Sequence, residues 1–147
     1  MISKGKSDKK IAILSADHFN ELKTLHSAYK QAIQEEPSTE EETDRLFKAI
    51  QAGKIIFYGA LEQGRLVGCC SVCPTFSTFN YKKSGVFEDF YILPEYRHRG
   101  IARQLVQFAI RESGVSTLTV GCADCDVKMY QALGFIVPLG NLLAYDG

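Results

Sequence analysis

The stretch Pro94-Glu95-Tyr96-Arg97-His98-Arg99-Gly100-Ile101-Ala102-Arg103 lies where a predicted strand passes into a predicted helix. Free backbone N–H groups at a helix start, together with the positive end of the helix dipole, form a binding site for anions. The small residues at 100 and 102 let a bulky anion approach the backbone, and the arginines add charges that pair with phosphate oxygens. The stretch therefore predicts a diphosphate site, with a helix start carrying solvated arginines as the alternative.

Strands and helices are predicted on both sides of this stretch from hydrophobic periodicity and from turn and capping residues. Predicted strands cover residues 11–14, 55–61, 66–72, 86–93 and 115–120, with one or two more inside 135–145. Predicted helices begin after Ser15, at a capping box of Ser38 and Glu41, at Gly100 and at Asp124. This mixture indicates an α/β or α+β fold, in which helices cover a sheet.

Length and composition favour a single domain over residues 1–147, because 46% hydrophobic residues suffice for one core. Seventeen basic and seventeen acidic residues cancel, so no net field favours nucleic acid as a partner. The apolar runs are too short to cross a bilayer, and Met1–Lys10 lacks the apolar part of a signal peptide. Five cysteines without an export signal indicate reduced thiols, so we expect a cytoplasmic protein without a membrane partner.

Two motifs give the sequence a family resemblance. Arg97-x-x-Gly100-x-Ala102 matches the R/Q-x-x-G-x-G/A signature of the general N-acetyltransferase (GNAT) superfamily, and residues 129–135 resemble the helix that carries a tyrosine before a Gly-Phe turn in that family. The resemblance implies a mixed, largely antiparallel central sheet flanked by about four helices. It also implies acetyl-CoA as cosubstrate.

The same resemblance assigns cofactor-binding residues. Phe90 and Ile92 are expected to pair with the pantetheine arm through their backbone, as an added strand would. The pyrophosphate is expected to contact Arg97, His98, Arg99, Gly100, Ile101, Ala102 and Arg103.

Two acids precede the phosphate turn in Glu88-Asp89-Phe90-Tyr91-Ile92, and strand alternation predicts that they face opposite sides. A protonated amine needs a base before it can attack a thioester. The run resembles one in polyamine acetyltransferases, where the acid matching Glu88 is the base. Glu88 is thus the first candidate for the base, Asp89 or an ordered water the alternatives, and both acids are candidate substrate-binding residues. Solvated strand acids are the structural alternative.

The leaving CoA thiolate must gain a proton, and by family position Tyr130 is the candidate catalytic acid. The alternative is a tyrosine that packs under the sheet. The sequence therefore predicts transfer of an acetyl group to a primary amine of a small molecule, or of a peptide or protein, by direct attack in a ternary complex. An acyl-CoA-binding regulatory module without turnover is the competing hypothesis. GNAT proteins often form homodimers, although no segment here predicts an interface.

Two cysteine pairs, Cys70-x-x-Cys73 and Cys122-x-x-Cys125, have the spacing of a four-cysteine zinc site. Residues three apart on a strand face opposite sides, so the first pair is poorly placed to chelate one ion. We therefore expect packed core thiols and no metal. The acids around the junction of the first two helices, Glu35 among them, either attract a cationic amine or are solvated acids near a helix start.

Overall fold

The computed structural model describes residues 8–147, which form five β-strands, four α-helices and three short 3₁₀ turns. The first half contains β1 (Lys9–Ile13), α1 (Phe19–Ala32), α2 (Glu40–Gln51) and β2 (Ile56–Glu62). The second half contains β3 (Arg65–Ser77), β4 (Lys82–Ile92), α3 (Ile101–Ser113), β5 (Thr117–Val120) and α4 (Val127–Ala132). The charged residues 1–7, on which part of the signal-peptide expectation rests, lie outside the described residues.

The strands form one sheet in the order β1-β2-β3-β4-β5, antiparallel from β1 to β4 and parallel between β4 and β5. A turn at Gln63 and Gly64 joins β2 to β3, and both residues have positive φ (51° and 77°), as a tight hairpin requires. A crossover through α3 joins β4 to β5, as parallel pairing demands. The predicted mixed, largely antiparallel sheet with helices is confirmed.

Each face of the sheet buries its own apolar cluster. On one face, Leu22 and Leu25 of α1 pack against Phe57 of β2 and Leu66 of β3, with Leu46 of α2 at the margin. The opposite face packs against α3, and Tyr130 of α4, followed by Leu133 and Phe135, lies at the margin of this second cluster. The helices thus cover both sides of β3 and β4, which fixes the middle of β4 between two packed layers.

Three local predictions need correction. The capping box that opens α2 is Thr39 with Glu42, since the Thr39 hydroxyl accepts the Glu42 N–H at 3.1 Å. Strands β3 and β4 are also longer than predicted, because residues 82–85, read as a polar loop, pair with the end of β3. The polar side chains mislead there because this end of the hairpin lies largely at the surface.

The predicted final strands within residues 135–145 are wrong: the chain after Gly134 has no regular structure in the described part of the protein. A strand needs a partner edge, and Pro138 and Gly140 interrupt the apolar pattern. Between 68% and 98% of the side-chain surface is exposed for a set of apolar residues in this segment, namely Ile136, Val137, Leu139, Leu142, Leu143 and Tyr145.

The cysteines are all free, but they are only partly core residues. Cys69 and Cys70 are fully buried, and burial raises the pKa of both thiols. Cys122 and Cys125 are exposed on the stretch before α4, so the prediction of packed core thiols is wrong for this pair. Residues 8–147 contain no group of three or more metal-ligating side chains. Within the same residues, none of the helices has the length and apolar character that crossing a membrane requires.

Candidate active site

A β-bulge interrupts β4 at the two acids. Cys69 of β3 lies opposite Tyr91, while Ser71 lies opposite Glu88, so the single residue between them on β3 faces two residues of β4. Asp89 takes up the extra length in a left-handed conformation (φ 52°), which non-glycine residues seldom adopt.

The bulge changes which way the acids point. Directly opposite residues of paired strands share a face, so Glu88 lies on the face of Ser71. The Asp89 carboxylate bonds the Ser71 hydroxyl, so it lies on this same face, which α1 covers. The predicted opposite orientation of Glu88 and Asp89 is therefore wrong, because alternation holds only in a strand without an extra residue.

Asp89 is the more deeply placed acid and is held by hydrogen bonds. The Ser71 hydroxyl donates to Asp89 Oδ2 at 2.6 Å, and His26 Nε2 of α1 lies 3.0 Å from Asp89 Oδ1. Burial raises the pKa of Asp89, but these hydrogen bonds and the positive charges of His26 and Lys30 outweigh burial, so the pKa lies below its ordinary value. Asp89 is thus ionised at neutral pH. Glu88, in contrast to the partly buried Asp89, is exposed.

A cavity of about 310 Å³ opens beside the bulge, between α1, β4, β5 and α4. Glu88, Asp89 and Phe90 of β4 line it together with Tyr29 of α1 and Tyr130 of α4. The cavity therefore brings both acids and the candidate catalytic tyrosine to one place. Its remaining charges, Lys30 and Glu35, form an ion pair with each other.

Tyr130 presents a protonated hydroxyl at this cavity. Its ring lies near the rings of Phe90 and Phe135, with centroid distances of 6.2 and 5.8 Å. Burial, followed by the negative groups nearby, raises the pKa of Tyr130 to about 12. Tyr29 on the opposite wall is similar, because burial and the charge of Asp89 raise its pKa. Both hydroxyls can therefore donate hydrogen bonds at neutral pH.

Within residues 8–147, one edge of β4 has no strand partner beyond Phe87, since the pairing with β5 covers only residues 84–87. Leu93 donates its N–H to Val67 of β3, and neighbouring residues of a strand point their backbone groups to alternate edges. The backbone groups of Ile92 therefore point to the open edge, where Arg97 Nε donates to the Ile92 carbonyl at 2.8 Å. The Ile92 N–H and the second lone pair of its carbonyl oxygen face this open edge.

The turn that follows β4 leads to the start of α3. His98 and Gly100 both have positive φ (62° and 83°), and Gly100 is the residue before the first helical residue, Ile101. A Cβ added at Gly100 meets no atom of the described part of the chain within 4 Å. The N–H groups at the start of α3, which have no partners within a helix, thus open onto unfilled space beside residues 97–100.

The three arginines of this region also hold the fold together. Beyond its bond to Ile92, the Arg97 guanidinium lies 5.4 Å above the Tyr91 ring. Arg103 donates to the Ala132 carbonyl at 3.0 Å, which ties α3 to the end of α4. Arg99 lies 5.3 Å from the Tyr96 ring and 3.9 Å from Glu62. The sequence places these charges correctly around the turn but does not reveal their second set of partners.

A family model described as an acetyltransferase (GNAT) domain matches residues 53–137, more than half of the chain. The chain belongs to the GNAT acetyltransferase family. The sequence prediction of an acetyl-CoA-dependent N-acetyltransferase is thereby confirmed at the level of the family. Comparison of the sequence with curated proteins gives no match.

Solved structures show the same fold over nearly the whole chain. A probable acetyltransferase is 25% identical, with a TM-score of 0.78, and the alignment covers 94% of this chain and 99% of that one. An aminoglycoside N-acetyltransferase in complex with CoA is 20% identical with a TM-score of 0.81, covering 99% of both chains. Glucosamine-6-phosphate N-acetyltransferase from Arabidopsis thaliana is 19% identical with a TM-score of 0.70, covering 93% and 97%.

Sequence reasoning missed two residues of this region. Tyr29 is read from the sequence as a residue of the apolar face of α1, yet it lines the cavity. His26, which the sequence does not single out, pairs with Asp89. Tyr29 lies one helical turn before Ile33, near the end of the apolar face of α1. The hydroxyl of this tyrosine was the one feature of the sequence that could have indicated a place at the cavity. His26 has no such feature, because its partner lies 63 positions away.

Proposed function

We propose that this domain transfers the acetyl group of acetyl-CoA to a primary amine of a small molecule, by direct attack of the amine in a ternary complex. The observation that carries the proposal is the cavity beside the β4 bulge, which Glu88 and Tyr130 line from different elements. Glu88 is on β4, which leads into the turn before α3, where the pyrophosphate would bind. The acetyl group would then lie along the open edge of β4.

Each proton of the reaction has a candidate group. An alkylamine has a pKa near about 10 and must lose a proton to attack the thioester, and we assign that proton to the Glu88 carboxylate, directly or through water. The CoA thiolate leaves with a negative charge, and Tyr130 supplies a proton or a hydrogen bond to the sulfur. Its pKa of about 12 keeps this hydroxyl protonated over the working pH range.

The charges at the cavity favour a cationic acceptor. Lys30 and Glu35 compensate each other as an ion pair, which leaves the carboxylates of Glu88 and Asp89. A protonated amine gains from this negative potential on entry and gives up its proton near Glu88. The fold shared with structures of aminoglycoside N-acetyltransferases supports a small amine as acceptor.

We place this enzyme in the cytoplasm, where its exposed Cys122 and Cys125 stay reduced. The exposed apolar residues of the segment 136–145 support association with a second copy as a homodimer. Nucleic acid is not proposed as a partner, because the net charge is zero.

A screen of small amines for release of free CoA thiol tests the proposal, with polyamines, aminoglycosides, amino acids and a peptide as acceptors. We expect turnover of at least one cationic small amine. Glu88→Gln should lower the rate about tenfold or more at neutral pH and recover part of it at high pH, where the amine is already deprotonated. Glu95→Gln, on the exposed 3₁₀ turn after β4, is the matched control.

Acetyl-CoA binding without turnover of any amine would favour the acyl-CoA-binding regulatory module instead. A Glu88→Gln variant that matches the wild-type rate across the pH range would remove Glu88 as the base.

A further inference from the structure

The bulge of β4 contains an aspartate, Asp89, in a backbone conformation that aspartate seldom adopts. Asp89 has φ 52°, in the left-handed region where glycine is the common choice. Such a conformation persists when surrounding contacts determine it. The contacts at Asp89 therefore indicate what this conformation is for.

Two elements, β3 and α1, contribute those contacts. From β3, the Ser71 hydroxyl donates to Asp89 Oδ2 at 2.6 Å, and the Cys69 thiol donates to the Asp89 carbonyl at 3.3 Å. From α1, His26 Nε2 lies 3.0 Å from Asp89 Oδ1, and 13% and 17% of the His26 and Asp89 side chains are exposed. Both carboxylate oxygens are thus engaged by protein groups, each at a hydrogen-bond distance.

We propose that Asp89 is a positioning residue, held by His26 and Ser71, which fixes the β4 bulge and through it the direction of Glu88 and of the open edge of β4. The effect on catalysis rests on the proposed function, whereas the effect on the strand does not. Asp89 would then act on the acceptor through its charge and through Glu88, and the direct substrate contact expected for it from the sequence is not part of the proposal.

The chemistry of the three side chains supports this role. An ionised carboxylate accepts hydrogen bonds at both oxygens, and the pKa of Asp89 lies below its ordinary value, so it is ionised at neutral pH. Charge-assisted hydrogen bonds are stronger than neutral ones, and these two anchor the side chain in different directions. Because the Asp89 side chain is held by both α1 and β3, the backbone of Asp89 is held as well. Glu88 is the preceding residue of β4, so its direction is fixed with that backbone.

A packing role for His26 is the competing explanation. Its ring lies 5.7 Å from the Tyr29 ring and 6.3 Å from the Phe57 ring, so removing it would disturb the layer between α1 and the sheet. Two substitutions separate the explanations. His26→Phe keeps a ring and loses the donor, while His26→Gln loses the ring and keeps an amide N–H that can reach Asp89.

The experiment compares these two variants with the wild type in two measurements. The first is the set of backbone amide NMR shifts of residues 88–90, which reports the bulge whether or not the protein turns over an amine. The second is kcat with an amine acceptor from the screen, alongside calorimetric affinity for acetyl-CoA. His18→Gln, at the start of α1 and hydrogen-bonded to Ser15, is the control histidine.

We expect His26→Phe to shift the amides of residues 88–90 and to lower kcat about tenfold, with acetyl-CoA affinity within about threefold of wild type. His26→Gln should retain most of the rate, and Ser71→Ala should resemble His26→Phe. His18→Gln should change none of these values.

Unshifted amides at 88–90 in His26→Phe would overturn the proposal, as would a His26→Gln variant that loses as much rate as His26→Phe. A protein that turns over no amine would refute the proposed function, and the amide shifts would still decide whether His26 and Asp89 set the bulge.

Discussion

The β4 bulge and the turn before α3 depart from regular structure in different ways. At the bulge, the partly buried carboxylate of Asp89 holds its own left-handed residue in place through side chains from α1 and β3. At the turn, left-handed His98 and Gly100 are exposed, and open space surrounds the position where a Gly100 side chain would begin. Side-chain contacts therefore determine the conformation of the bulge, whereas the conformation of the turn depends on its backbone and on a glycine.

The difference separates two tasks. Residues at the bulge line a cavity that two acids and two protonated tyrosine hydroxyls share, which suits proton transfer. The turn offers backbone N–H groups and arginines, which suits the binding of phosphate oxygens. Substitutions at the turn should therefore change the affinity for acetyl-CoA, and substitutions at the bulge should change the rate.

The largest expected effect is on the turn. Gly100→Glu should weaken acetyl-CoA binding about a hundredfold in a calorimetric titration, because a carboxylate there occupies the approach to the helix start and repels phosphate. Gly53→Glu is a matched control, since Gly53 also has positive φ (70°) and open space around it but lies after α2.

The two glycines share the backbone strain of a left-handed side chain, so strain alone would affect both variants equally. Unchanged acetyl-CoA affinity in Gly100→Glu, or an equal loss in Gly53→Glu, would contradict a pyrophosphate site at this turn.

The next effect concerns the cavity. Tyr130→Phe keeps the ring against Phe90 and Phe135 and removes the hydroxyl, so kcat should fall about tenfold or more with acetyl-CoA affinity intact. Because the pKa of Tyr130 is about 12, the wild-type rate should show no loss from this group below about pH 10. Tyr81→Phe, on the exposed β3–β4 turn, is the control.

A Tyr130→Phe enzyme with the wild-type kcat would leave positioning of the substrates as the source of the rate. A fall in acetyl-CoA affinity that matches the fall in rate would contradict the assignment of cofactor binding to the turn and of proton transfer to the cavity.

The smallest effect is on stability. The pKa of Asp89 is lower in the folded protein than in the unfolded chain, so its stabilising contribution is full above the unfolded pKa of about 4 and is lost as pH falls through the folded pKa. Asp89→Asn should lower the free energy of unfolding at pH 7 by about 1 to 3 kcal/mol, with a smaller loss near pH 2. Urea unfolding at both pH values measures this.

Asp44→Asn, an exposed acid on α2, should change the free energy of unfolding by much less at either pH. An Asp89→Asn loss of equal size at pH 7 and pH 2 would show that the charge of Asp89 is not what stabilises the bulge.

The same contrast explains what the sequence could predict. The turn before α3 is a local feature, because Gly100 and its neighbours are contiguous, and the turn lies where the sequence predicts it. The bulge depends on His26 and Ser71, which are 63 and 18 positions from Asp89, so alternation gave the wrong faces for Glu88 and Asp89. The strands predicted within residues 135–145 are wrong for a related reason: a strand forms only where the edge of another strand pairs with it, and that partner is not visible in the local sequence.

The extra residue at Asp89 also makes β4 sensitive to changes in length. Phe87, Phe90 and Ile92 share one apolar cluster although their spacing does not fit simple alternation. Losing Asp89 would restore regular alternation and leave Phe87, Phe90 and Ile92 on their layer, whereas gaining a further residue would turn every later side chain of the strand to the opposite layer. During divergence of this protein, single-residue insertions in residues 88–91 should therefore be accepted less readily by the fold than loss of Asp89, which would remove the bulge and its carboxylate but keep the layers of the strand.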